Sequence, residues 1–169
     1  MFHQTLILGL ILWVNVEGVP RCPPLYIIER CDAASNANNN NNAQPSREYR
    51  YQVTATTQSW SASRRACQQL GGDLVVAGAK DFEARKKIFS SIPQGRWYWI
   101  GLSDPQHNRR WTWLDQSHGN EHWAANEPNN FHSYNEYCGE VDSSRLYKTN
   151  DYSCYANLYG VCEIPVNQQ

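Results

Sequence analysis

Trp97-Tyr98-Trp99-Ile100-Gly101-Leu102 is the strongest strand signal in the chain. Aromatic and β-branched side chains dominate it, and these fit a pleated, half-buried surface. Toward the N-terminus, Pro93 closes a helical pattern over about Asp81 to Ser91 that places Phe82, Ala84, Ile88 and Phe89 inward. Before it, Asp73-Leu74-Val75-Val76 reads as a short strand, and Gly71-Gly72 as the stop of an earlier helix. That helix runs from Trp60 to Leu70 behind a Ser59 N-cap, with Trp60, Ala66, Cys67 and Leu70 able to share one face. Tyr49-Arg50-Tyr51-Gln52-Val53 alternates as another strand. Downstream of the central strand, Ser103 to Tyr137 shows no sustained period and is rich in Asn, His, Trp, Glu and Pro. Loops beyond about 12–15 residues inside a compact domain are functional or disordered, and the aromatic content here favours function. Val141, the strand candidate Arg145-Leu146-Tyr147 and Tyr159-Gly160-Val161-Cys162-Glu163 close the chain.

The 169 residues suit one ordinary domain with a short extension. A net charge of -1, from 15 basic and 16 acidic residues without a basic run, argues against nucleic acid and acidic membrane surfaces as partners. Seven Trp and ten Tyr must do much of the core filling. Thr5 to Val16 is nearly all apolar, with a plausible cut after Gly18. It is shorter than the roughly 20 residues that span a bilayer, so residues 1–18 read as a signal peptide and secretion is expected. No other segment could span a membrane.

In an oxidising compartment the six cysteines, Cys22, Cys31, Cys67, Cys138, Cys154 and Cys162, imply disulfides. Spacing alone does not choose among the pairings. Zinc is disfavoured by the lack of any Cys-x-x-Cys or His-x-x-x-His cluster. Residues 19–48 form an N-terminal segment in which Cys22 to Cys31 is small enough for a stapled hairpin. The polar tract Ser35 to Ser46, with Asn38 to Asn42, follows as a flexible insertion. The main domain is expected over residues 49–165.

Within the long loop, Glu127-Pro128-Asn129 and Glu136 lie close in sequence, and Asn150-Asp151 follows on a later strand candidate. Together they offer three carboxylates, two amide carbonyls and the Asp151 backbone carbonyl. These are hard oxygen donors, of which Ca²⁺ takes 6–8. A cis bond before Pro128, which proline permits at little cost, would turn Glu127 and Asn129 to the same side.

These motifs, in this order, resemble the C-type lectin family, in its mannose-type subgroup. Trp99-Ile100-Gly101-Leu102 is similar to the family's core strand, and Trp111-Thr112-Trp113 and Trp123 to the tryptophans preceding its calcium loop. Glu127-Pro128-Asn129 matches its sugar-specificity tripeptide, Glu136 its next acidic ligand, and Val161-Cys162-Glu163 its closing motif. Asn150-Asp151 resembles its Trp-Asn-Asp motif, except that Thr149 stands in the Trp position. The resemblance covers about Cys22 to Pro165.

It implies an α+β C-type lectin-like domain: two helices, small antiparallel sheets and a long calcium-binding loop, braced by Cys67–Cys162 and Cys138–Cys154, with Cys22–Cys31 as an extra bridge. It further implies Glu127, Asn129, Glu136, Asn150 and Asp151 as shared calcium and carbohydrate ligands. One calcium is expected rather than two: Asp104 could serve the family's accessory site, but Asn108, Asn130 and Tyr137 stand where acidic ligands are common. Glu-Pro-Asn implies mannose-type sugars, while Phe131, His132 and Tyr134 leave open a galactose-type preference through ring stacking. The function implied is a secreted lectin of innate recognition or agglutination. A structural or interaction protein on the same scaffold, binding mineral or protein, is the alternative. No coiled coil or collagen stalk is encoded, so any homo-oligomer would form through domain surfaces or Cys22 and Cys31. No nucleophile elbow, phosphate-cradling glycine loop or His-rich motif points to an enzyme.

Overall fold

The computed structural model describes residues 26–31, 47–131, 135–144 and 146–166. Cys22, the signal-peptide candidate, the Asn-rich tract, His132 and Tyr134 lie outside the described residues. Eight strands and three helices follow in the order β1 (Tyr26–Cys31), β2 (Arg47–Val53), α1 (Trp60–Gln69), β3 (Asp73–Leu74), α2 (Ala77–Lys80), α3 (Phe82–Ser90), β4 (Trp97–Ser103), β5 (Thr112–Trp113), β6 (Glu136–Asp142), β7 (Thr149–Ser153) and β8 (Tyr159–Pro165).

The strands join in the order β1-β2-β8-β4-β6-β7, with β3 paired to β8 and β5 to β4. All pairings are antiparallel except β4 with β8, where Tyr98 and Trp99 run parallel to Tyr159 and Gly160. This agrees with the α+β class; the short helix α2 and the parallel pairing add to the expected plan. The expected stapled hairpin over Cys22 to Cys31 begins outside the described residues, and what is described of it is the strand Tyr26–Cys31. That strand adds to the main sheet as the outer partner of β2.

The central strand β4 is buried from Tyr98 to Leu102, with Trp97 left 43% exposed. The buried Trp99 indole donates to the Gln58 carbonyl at 2.8 Å, and Trp60 donates to the Ile100 carbonyl at 2.8 Å. Gly101 is required by close approach. A Cβ there would lie 2.7 Å from Val76 Cγ2 and 2.9 Å from the Leu74 carbonyl oxygen.

Helix α1 begins where expected, with the Ser59 hydroxyl accepting from the Ala62 N–H at 3.4 Å. Its buried face is Ser63 and Cys67, while Leu70 lies at the exposed C-cap rather than in the core. Asp81 caps α3, accepting from the N–H groups of Glu83 and Ala84 at 2.9 Å. Ile88 and Phe89 point inward as the pattern requires, but Phe82 and Ala84 are only half-buried and Arg85 is fully buried.

The expected strand over Asp73–Val76 is two residues long, because Val76 caps the one-turn helix α2. Leu146 and Tyr147 are not strand either. Both adopt positive φ in the turn before β7. Cys67 pairs with Cys162, and Cys138 with Cys154. These bridges tie α1 to β8 and the end of β7 to β6. Together with Leu74 and Trp99 the four cysteines belong to one apolar cluster beneath α1. A loop of 95 residues closed by the first bridge corresponds to a stabilisation of about 4–5 kcal/mol.

Candidate functional site

The long loop is built from turns, and its asparagines supply several of them. Asn120, Asn126, Asn130 and Asn135 all have positive φ, which Asn tolerates better than most residues. The sequence shows only that the loop is rich in Asn, and the backbone role of these residues was the missed signal.

Ordered contacts pin the loop along its length. The buried Asp104 accepts from the N–H groups of Asn108 and Arg109 at 3.2 and 2.7 Å, and its own N–H donates to the Tyr137 carbonyl at 2.8 Å. Lys80 pairs with Asp115 at 2.5 Å and donates to the Ser117 hydroxyl at 3.0 Å. The contacts with Lys80 and Ser117 hold the Asp115 carboxyl below its ordinary value against the opposing effect of burial, which is the largest single contribution. Trp111 meets Trp123 edge-on, ring centres 4.8 Å apart at 69°.

The Glu127–Pro128 bond is cis. Immediately after it, the Asn129 N–H donates to Asp151 Oδ1 at 3.0 Å, and the Asn130 N–H to Asp151 Oδ2 at 2.7 Å. The Phe131 N–H donates to Glu136 Oε2 at 2.7 Å, and the Asn130 side-chain oxygen accepts the Glu136 N–H at 3.0 Å. The turn is therefore laid across two carboxylates, one opening β6 and one in the middle of β7. Strand pairing sets Asp151 opposite Gly139 and Asn150 opposite Glu140. The Asn150 amide donates to the Asp151 carbonyl at 2.7 Å.

Asp151 is 1% exposed and Glu136 7%. Burial pushes the Glu136 carboxyl above its ordinary value, the Phe131 N–H draws it back, and the Asp151 charge adds to the rise. A cavity of about 80 Å³ opens here, lined among others by Asp104, Pro128, Asn130, Glu136 and Asp151. His107 stacks flat on Tyr137 at its edge, ring centres 3.7 Å apart. Glu127, Asn129 and Asn150 do not line the cavity.

Of the five candidate ligands, Glu136 and Asp151 are thus brought together, and Asn129 reaches Asp151 through its backbone. Among the described residues no three His, Cys, Asp or Glu side chains converge as a ready metal cluster. The physical reason is the clasp itself, since Asp151 and Glu136 are turned onto backbone N–H groups. The donors still fit a hard cation. An ionised carboxylate has about four lone-pair sites, and the N–H contacts found take two on Asp151 and one on Glu136.

Residues 56–164 match the lectin C-type domain family. The human protein C-type lectin domain family 4 member C is 33% identical over 119 residues, covering 68% of this chain and 54% of that protein. The chain thus spans about half the length of this curated relative. Among solved structures, the C-type lectin domain of murine dendritic cell inhibitory receptor 2, in complex with N-glycan, aligns with a TM-score of 0.60 at 27% identity. It covers 70% of this chain and 91% of that one. The cow carbohydrate-recognition domain of CD23, determined in the presence of a GlcNAc2Man3 oligosaccharide, gives a TM-score of 0.63 at 26% identity, over 71% and 90%. The chain belongs to the C-type lectin family. The matched family is one of lectin domains, not of enzymes. No helix among the described residues is long and apolar enough to cross a membrane.

Proposed function

We propose that the protein is a secreted, calcium-dependent lectin for mannose-type sugars, with Glu127, Asn129, Glu136, Asn150 and Asp151 as its ligand set. The observation that carries this reading is the docking of the Glu127-Pro128-Asn129 turn on Asp151 by two backbone hydrogen bonds. That contact sets the specificity tripeptide beside the strand bearing Asn150, with Glu136 accepting from the Phe131 N–H two residues on. Bound there, Ca²⁺ supplies open coordination positions for two neighbouring sugar hydroxyls. Glu127 and Glu136 accept hydrogen bonds from those hydroxyls, while the amides of Asn129 and Asn150 donate to them. The relatives solved with an N-glycan and with a mannose-containing oligosaccharide support a glycan as the ligand class.

One shallow site gives monosaccharide affinity of about -4 kcal/mol, near millimolar. Several copies presented together raise it through effective concentration. The proposal takes residues 1–18 as a signal peptide, 19–48 as an N-terminal segment and 49–165 as the lectin domain. Phe131, 57% exposed directly after the turn, favours one second reading, in which ring stacking on a sugar's apolar face selects galactose-type ligands.

Retention on mannose-agarose with and without a calcium chelator tests the reading. Retention lost on chelation and restored by calcium is expected; retention indifferent to chelation sinks it. Glu127→Gln with Asn129→Asp should move binding toward galactose. A double variant that keeps its mannose preference shows that the aromatic loop, not the tripeptide, sets specificity.

A further inference from the structure

Thr149 departs from the resembled Trp-Asn-Asp motif. It is fully buried, so its hydroxyl needs partners inside the protein. It donates to the Glu121 carbonyl and accepts from Arg85 Nη2 at 2.6 Å. Arg85, also fully buried, places its other donors on the Tyr147 carbonyl at 2.6 Å through Nε and the Ala79 carbonyl at 2.9 Å through Nη1. Desolvation lowers its pKa to about 9, against the pull of Glu140, so the cation persists at neutral pH. Its guanidinium also lies 5.9 Å from the Phe89 ring centre.

Three backbone bonds continue from Thr149 into the loop. Its N–H donates to the His122 carbonyl at 3.0 Å, the Ala124 N–H donates to the Thr149 carbonyl at 2.8 Å, and the Glu127 N–H donates to the Ala124 carbonyl at 3.1 Å. Two residues along β7, Asp151 holds Asn129 and Asn130. A single path therefore runs from α3, through Arg85 and Thr149, to both halves of the candidate site.

We propose that Arg85 is a positioning residue of the binding site, its guanidinium fixing the register of the 121–127 loop segment on Thr149–Asp151 where the resembled motif has a tryptophan. As a link to calcium the inference rests on the function proposed above; as a statement about the loop it is read independently. A lysine at this position carries the charge but not three donors in a fixed fork.

Amide hydrogen exchange on the full chain, compared among wild type, Arg85→Lys, Arg85→Met and Thr149→Val, tests it. Protection at Thr149, Ala124 and Glu127 should fall at least tenfold in both Arg85 variants and by less in Thr149→Val. Val75, bonded to Val161, and Thr54, bonded to Gly160, should keep theirs. Titration calorimetry with calcium alone should show affinity at least tenfold weaker in Arg85→Lys. Thr149→Val and Arg85→Lys carry the comparison if Arg85→Met does not fold. Unchanged protection in the loop overturns the proposal, as does an equal loss at Val75 and Thr54, which would mean a general role in stability. Local loss with unaltered calcium affinity overturns it too. A wild type that takes up no calcium defeats the proposed function, and the exchange pattern then decides the positioning role by itself.

Discussion

Glu163 on β8 and Asp151 on β7 solve the same local problem to different degrees. Each is a carboxylate on a strand that gathers the backbone N–H groups of a neighbouring segment. Glu163 Oε2 accepts from Val76 and Ala77 at 3.1 and 2.9 Å, and Oε1 from Gly78 and the Tyr51 hydroxyl at 2.8 and 3.1 Å. Four donors match the roughly four lone-pair sites of a carboxylate, so its capacity is full. Gly78 permits the fit, because a Cβ there would lie 2.5 Å from Ile88 Cδ1 and 2.6 Å from the Tyr51 hydroxyl. Asp151 accepts from two backbone donors. A saturated carboxylate fastens one element to another; one with capacity in hand can fasten a turn and still meet a ligand.

The sharpest way to break that contrast is Glu163→Ala. It leaves three backbone N–H groups and one hydroxyl without their acceptor, and unfolding in urea should show a loss of about 4 kcal/mol. A loss below about 1 kcal/mol would show that the clasp is not what joins α2 to the sheet. Asp151→Asn keeps the volume and one accepting oxygen, so its stability should fall by about 1 kcal/mol. Calcium-dependent retention on mannose-agarose should disappear in the same variant. Equal destabilisation by the two substitutions would reduce Asp151 to a fastener as well.

The smallest effect concerns pH. Burial raises the Glu163 pKa, with the three backbone donors and Tyr51 opposing. The folded protein therefore holds this proton more tightly than the unfolded chain does. Its contribution to stability is complete below the ordinary glutamate pKa of about 4.3 and is lost as pH rises through the folded value. Urea midpoints of wild type should fall relative to Glu163→Gln as pH rises through that window. A constant difference between the two proteins contradicts the assignment.

Periodicity and end signals made β4, α1 and α3 readable, because those signals are local: an aromatic run in β4, Ser59 before and glycine after α1, and the helical period of α3 closed by Pro93. Two of the three disulfides implied by the family resemblance, Cys67–Cys162 and Cys138–Cys154, agree with the bonds found, and the third involves Cys22, outside the described residues. Helix α2 was not readable. Four residues cannot display a helical period, and its N–H groups are met by Glu163, 85 to 87 residues away. Arg85 escaped for a related reason. A charged residue in an amphipathic pattern reads as outward-facing, and two of its acceptors lie 62 and 64 residues downstream. At the candidate site the residue identities were legible, but the backbone clasp over Asp151 and Glu136 was not, since main-chain donors leave no mark in side-chain chemistry.

The steeply tilted Trp111–Trp123 pair has an optical consequence. Two indoles this close and this far from parallel couple their transition dipoles, which yields a bisignate circular-dichroism band. Trp111 borders the cavity, and the backbone of Trp123 forms a β-bridge with Thr149. Movement of the turn against β7 would change the amplitude of that band, so the protein carries an intrinsic, label-free spectroscopic gauge of its own loop.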